Sequence, residues 1–323
     1  MLLYLVTVLI AFAVLVWSAD LFVAGAASIA ENAGVQPVII GLTIVSLGTS
    51  APEILVSIAA ALAGSGGLAI GNAVGSNIAN VGLVLGVTLL ITPIVVHPGC
   101  MRTEMPILLA VTLGAGLLLI DVELERADAI LMITTLALIM WQMVRSAMDP
   151  DLAEDVDEEE LPHLSPTRAW MAFGAGLLLL IGSSKALVWG ASSIATTLGV
   201  SELVIGLTII AVGTSLPEMA ATIASALRGH SEIAIGNIVG SNLFNLLVVM
   251  AMPGLLAPEE LPINFVLRDY AAMSLITLLL AIGLYTGRRR KGVEEGHSYL
   301  GRTMGPLFVA FYALYYYVLF ATT

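Results

Sequence analysis

Residues 41–53 read GLTIVSLGTSAPE and residues 206–218 read GLTIIAVGTSLPE. The two stretches lie 165 residues apart, and each carries one carboxylate, Glu53 or Glu218, inside an apolar run. The same offset relates 25–35 (GAASIAENAGV) to 190–200 (GASSIATTLGV) and 69–80 (AIGNAVGSNIAN) to 234–245 (AIGNIVGSNLFN), without a gap. Three matches at one spacing mark a duplicated unit.

The medium around that unit follows from composition. Of the 323 residues, 59% are hydrophobic and 11% charged, and the mean hydropathy is +1.00. A soluble domain needs about a quarter of its residues charged, so lipid is the solvent. Backbone groups in lipid must be satisfied within their own segment, and a span takes about 20 apolar residues. Long apolar runs therefore predict an all-α, polytopic membrane protein, and the short alternating strands of a barrel are missing. Ten helices are expected, at about 3–31, 37–63, 69–95, 103–121, 127–147, 168–198, 203–227, 233–256, 266–286 and 303–321. The first run lacks a basic leader and is read as a retained helix rather than a cleavable signal. The single Cys100 allows no internal disulfide.

Five spans fall in each half: residues 1–147 form the first repeat, 148–167 an acidic connecting loop and 168–323 the second repeat. Five is odd, so the second copy enters the membrane from the opposite side and the repeats are inverted, a layout of secondary transporters. With both termini outside, the inside loops hold Arg102, Arg145, Arg168, Arg228, Arg288, Arg289, Arg290, Lys291 and Arg302, and the outside loops only Arg126 and Arg268. That bias puts the acidic loop in the cytoplasm; a plasma (inner) membrane is the expected location. Much of the formal charge of −12 sits between Asp149 and Glu160. This stretch lacks the glycine turn and ligand spacing of an EF-hand and reads as a solvated linker rather than a calcium sensor.

A carboxylate deep in an apolar helix costs at least about 2.5 kcal/mol unless it is protonated, paired or bound to a cation. Pro52 and Pro217 cannot donate back to the preceding turn, which frees carbonyls near Gly48 and Gly213. Thr49 and Ser50 lie four and three residues before Glu53, on its face of the helix, and Thr214 and Ser215 repeat this before Glu218. The next helix of each repeat adds Ser76 and Asn80, then Ser241 and Asn245, each pair one turn apart. Asn72, Asn77, Asn237 and Asn242 read more readily as helix–helix hydrogen bonds. Gly71, Gly75, Gly236 and Gly240 let helices approach closely. The pooled ligands are all oxygen, the set that hard cations such as Ca²⁺ and Na⁺ prefer. Two ionised glutamates balance one Ca²⁺, and Na⁺ ions in the same cage would compete with it. Asp20 and Lys185 are also 165 apart; a structural ion pair between them is the preferred reading, a transport role the other.

At GTSxPE and GNxxGSNxxN, each present twice, the chain resembles the calcium:cation antiporter superfamily, and within it the prokaryotic sodium/calcium exchanger branch. The resemblance is sharpest over residues 41–86 and 206–251. It implies that Glu53 and Glu218 are the central carboxylates binding Ca²⁺ and Na⁺. Thr49, Ser50, Thr214 and Ser215 match the neighbouring donors, Ser76 and Ser241 the outer sodium-site serines, and Asn80 the amide of the first repeat. Asn245 departs from the pattern, since the best-known exchangers carry Asp there. The resemblance further implies exchange of three Na⁺ for one Ca²⁺ by sliding of the first and sixth helices over a fixed core.

The expected function is therefore Na⁺/Ca²⁺ antiport by alternating access, with coupling to H⁺ or K⁺, or an uncoupled cation channel, as the rivals. No phosphate loop, nucleophile arrangement or nucleotide motif points to an enzyme. The expected partners are the two ions and the bilayer, with no cofactor, nucleic acid or obligate protein partner.

Overall fold

The computed structural model describes residues 1–35, 37–64, 66–147, 164–199, 211–261, 263, 265–287 and 296–322. The expected start of the seventh span (203–210), the acidic stretch Asp149 to Glu160 and the basic run Arg288 to Lys291 lie outside the described residues.

Helices α1 (Leu2–Ala33), α4 (Gly66–Ile91), α5 (Cys100–Leu118), α6 (Arg126–Ala147), α7 (Pro166–Thr197), α10 (Ser231–Leu256), α11 (Phe265–Gly287) and α12 (Met304–Thr322) are long and apolar enough to cross a membrane. A ninth crossing is broken: α2 (Pro37–Thr49) and α3 (Ala51–Leu62) meet at 45°. The same break separates α8 (Ala211–Thr214) from α9 (Leu216–Leu227). At both breaks a serine leaves helical geometry just before the proline turn, Ser50 at φ −80°, ψ 1° and Ser215 at φ −86°, ψ 4°. Pro52 and Pro217 cause the breaks, because their rings clash with the turn before and supply no N–H to it. The chain is thus an all-helical, multi-pass membrane protein, and among the described residues strands occur only as short pairs in the loops.

Centre and periphery separate by burial. Over an 18-residue apolar stretch of each helix, 94% of the residues are buried in α10 and 72% in α4, against 22% in α1 and 11% in α12. The central helices cross closely because glycines remove the side chains between them. A Cβ at Gly236 would lie 2.7 Å from the Val38 carbonyl oxygen and 3.2 Å from Gly41 Cα. One at Gly41 would lie 2.8 Å from the Ile233 carbonyl oxygen. The exposed faces of α1 and α12 carry Leu2, Leu9, Leu314 and Tyr317, as a lipid-facing rim requires.

Outside this core, α1 and α7 run along each other. Their contact face is again glycine: a Cβ at Gly25 would meet Phe173 Cα at 2.8 Å, and one at Gly176 would meet Phe22 N at 2.6 Å. This packing overturns the expected Asp20–Lys185 ion pair. Small residues and phenylalanines fill the α1–α7 face, Lys185 is exposed, and α1 also packs along α9. Asp20 therefore accepts a hydrogen bond from Nε of Arg228, at the end of α9.

Two small antiparallel ribbons tie loops together. β1 (Ile94–Val96) pairs with β4 (Ser298–Leu300), and β2 (Glu123–Leu124) with β3 (Glu259–Glu260). Each ribbon joins loops that the ten-span reading puts on one side of the membrane.

The two repeats differ in how their glycines are covered. Among the described residues nothing lies within 4 Å of a Cβ at Gly71 or Gly75, the counterparts of Gly236 and Gly240. Gly236→Val is therefore expected to cost about 1–3 kcal/mol of stability through overpacking, and Gly71→Val far less. Thermal unfolding of the two detergent-purified variants, read by tryptophan fluorescence, checks this; equal losses would contradict it.

Candidate cation site

The broken helices pack against the central pair α4 and α10 in the buried interior. Glu53 and Glu218 are 2% and 1% exposed, and Thr49, Ser50, Ser215 and Ser241 are fully buried. The two carboxylates lie near enough to interact electrostatically, and the hydroxyls of Thr49 and Ser50 lie against the carboxylate of Glu218. Ser50 Oγ donates to Glu218 Oε1 at 3.4 Å, so a donor of one repeat serves the acid of the other.

Asparagines brace the helix breaks. Asn72 Nδ2 donates to the backbone oxygen of Glu53 (3.2 Å), and Asn237 Nδ2 to that of Glu218 (3.4 Å). This is one hydrogen bond made twice at the repeat offset. Asn237 Nδ2 also reaches Thr222 Oγ1 at 2.9 Å, and its Oδ1 accepts from Thr49 Oγ1 at 3.1 Å. Asn72 and Asn237 thus hold the acidic turns in place. Where α4 and α10 cross, Asn80 Nδ2 donates to Asn242 Oδ1 (3.1 Å), and Asn77 Nδ2 to the Asn242 backbone oxygen (3.3 Å). Asn80 and Asn245 each open a π-helical turn, Asn80–Leu85 and Asn245–Val249; such turns often occur at functional sites.

The oxygens that remain define the chemistry. Glu53 Oε2, Glu218 Oε2, Ser215 Oγ, Ser241 Oγ, Asn80 Oδ1 and Asn245 Oδ1 are buried without a hydrogen-bond partner. Each such atom costs about 1–3 kcal/mol if left so. With the acids ionised, all but the two hydroxyls are acceptors only, so the partner they lack is a proton donor or a cation. No group of three or more His, Cys, Asp or Glu side chains suited to a metal occurs among the described residues. The set is instead two carboxylates with neutral oxygens, the chemistry of hard cations.

Two expected ligands lie at the edge. Ser76 and Thr214 line a cavity of about 650 Å³ with Asn72, Gly71 and Gly75, whose lining also includes Phe265, Tyr315 and the Arg268–Asp269 pair. Asp269 accepts from Arg268 Nε and Nη2 at 2.9 and 3.0 Å and from Tyr315 Oη at 3.1 Å. One contributor was not expected. Ser184 Oγ donates at 2.9 Å to the Gly213 carbonyl oxygen, the group that Pro217 deprives of its partner. Its counterpart in the first repeat is Ala19, so comparison of the repeats carries no signal for it.

The profile of the family described as "Sodium/calcium exchanger protein" matches residues 3–144 and 168–321. The chain belongs to this family. Among relatives of this exchanger-family chain, the CaxA protein of Alkalimonas amylolytica is 42% identical over 331 residues, covering 100% of both chains. The inner membrane protein YrbG of Escherichia coli (strain K12) is 37% identical, over 87% of this chain and 89% of YrbG. The structure of the sodium-calcium exchanger NCX_Mj soaked with zero Na⁺ and Ca²⁺ superposes with a TM-score of 0.84 at 29% identity, covering 98% of this chain and 99% of NCX_Mj. The family places this chain among transporters rather than enzymes and makes it a cation antiporter of the calcium-exchanging kind.

A ligand that binds only the folded state stabilises it by about 3 kcal/mol at a hundredfold excess over Kd. Ca²⁺ is therefore expected to raise the unfolding temperature of the detergent-solubilised protein and to leave that of the Glu53→Gln/Glu218→Gln double variant unchanged. An equal rise in both would put the cation elsewhere.

Proposed function

We propose that this chain exchanges Na⁺ for Ca²⁺ across a plasma membrane by alternating access, with Glu53 and Glu218 as the shared central ligands. The observation that carries the reading is a pair of buried carboxylates near enough to interact electrostatically, on helices that also carry buried, partnerless neutral oxygens. In this proposal Ca²⁺ balances both acids, and Na⁺ ions enter the same cage in its absence. Thr49, Ser50, Thr214 and Ser215 furnish oxygens around the acids. Ser76, Asn80, Ser241 and Asn245 furnish those of the central helices. The empty cage, with two unpaired charges, is too costly to reorient, and this couples the fluxes.

The same proposal holds ten spans in two inverted five-helix repeats, with both termini outside and the 148–167 loop cytoplasmic. The recurrence of hydrogen bonds, helix breaks and π-helical turns at the 165-residue offset supports it. So does the pairing of loops by the two ribbons. YrbG, an inner membrane protein, supports the location. Na⁺ is preferred over H⁺ as the coupling ion because the partnerless amide oxygens of Asn80 and Asn245 coordinate cations but take up no proton near neutral pH, which leaves only the two glutamates of the proposed cage as proton acceptors.

The test is ⁴⁵Ca²⁺ uptake into proteoliposomes loaded with Na⁺, K⁺ or choline. Uptake is expected only with internal Na⁺, and a loss of at least about tenfold is expected in Glu53→Gln and in Glu218→Gln, since each removes half the charge that balances Ca²⁺. Uptake driven equally by a pH gradient with choline inside would replace Na⁺ by H⁺. Uptake that persists without any counter-ion would replace exchange by a channel.

A further inference from the structure

We propose that Asp20 and Arg228 form a one-sided latch, which holds the α1–α7 pair against the core in the arrangement seen here and has no equivalent in the opposite arrangement. The inference rests on the alternating-access reading above.

Asp20 lies midway along the apolar α1, with its side chain 53% exposed, and Arg228 is the residue that closes α9. A carboxylate on the outer face of a membrane helix needs a partner, and the Nε of Arg228 supplies it. Because glycine contacts bind α1 tightly to α7, the two helices act as one body, and the ion pair joins that body to the core.

The repeat offset identifies what the opposite arrangement would hold. The core counterpart of α9 is α3, and the two end alike. Arg228 has φ −84° and ψ 1°, Ala63 has φ −82° and ψ 1°, and Gly229 and Gly64 follow at φ 84° and 73°. The counterpart of Asp20 is Lys185 on α7. In this structure α1 packs along α9, and no comparable packing joins α7 to α3 among the described residues. If the pair shifts so that α7 takes on α3 the place that α1 holds on α9, Asp20 leaves Arg228, and Lys185 arrives at the methyl group of Ala63. An ion pair is lost and none replaces it. The latch therefore weights the equilibrium toward the present arrangement, whichever ion occupies the site.

The latch is tested by pulsed electron–electron distance measurements in nanodiscs, on a Cys100→Ala background with spin labels at Leu9 and Leu62, which are 70% and 72% exposed. Two distance populations are expected. Asp20→Asn and Arg228→Gln should each move their ratio about three- to tenfold away from the present arrangement. The charge swap Asp20→Arg with Arg228→Asp should move it back. Ala63→Glu, which offers Lys185 a partner, should shift it in the same direction as the single variants. Two populations with an unchanged ratio in the single variants would overturn the latch and leave alternating access standing. A single population in every variant, with and without Na⁺ and Ca²⁺, would overturn both.

Discussion

Two carboxylates buried near each other in a membrane interior need a proton or a cation to offset their charge, and among the described residues no basic side chain pairs with them. Coulomb interactions at low effective dielectric are too strong for Glu53 and Glu218 to stay ionised and empty at small cost. Much of the architecture serves to place that demand. The prolines break α2–α3 and α8–α9 so that Glu53 and Glu218 begin new helical turns. Asn72 and Asn237 hold the broken turns by their backbone oxygens. Gly41 and Gly236 let the core helices approach until donors of one repeat reach the acid of the other.

The positions of the described helices and the burial of Glu53 and Glu218 were legible in the sequence because their physics is local. A run of apolar residues long enough to span a bilayer is helical for want of any other way to satisfy its backbone, so the expected spans 69–95 and 233–256 match Gly66–Ile91 and Ser231–Leu256 closely. Glu53 and Glu218 stood out through the cost of burying charge. The asparagine braces were legible only as a class: the sequence marked Asn72 and Asn237 as helix–helix bonds, and the structure makes the bonded atoms the backbone oxygens of the two glutamates.

Nonlocal features were out of reach. The π-helical turns that open at Asn80 and Asn245 depend on tertiary packing rather than on composition. Ser184 is matched by Ala19 in the first repeat, which has no hydroxyl, and its role depends on where α7 runs relative to Gly213. The pairing of Asp20 was mistaken because equivalence by sequence offset says where two residues sit in their own repeats, not whether those places touch. Symmetry of sequence is also not symmetry of state. Gly236 is covered by Val38 and Gly41, while Gly71 borders a cavity of about 650 Å³. One structure thus holds two unlike environments for equivalent residues, and their interchange is what alternating access requires.

The central claim is that the partnerless oxygens around Glu53 and Glu218 form a single cation cage. Anomalous diffraction from crystals of the protein soaked in Sr²⁺, a heavier stand-in for Ca²⁺, tests it most directly. The account predicts a peak between the two carboxylates, within coordination distance of both, and its loss in the Glu53→Gln/Glu218→Gln variant. Density confined to other sites, or a central peak that survives the double substitution, would contradict it.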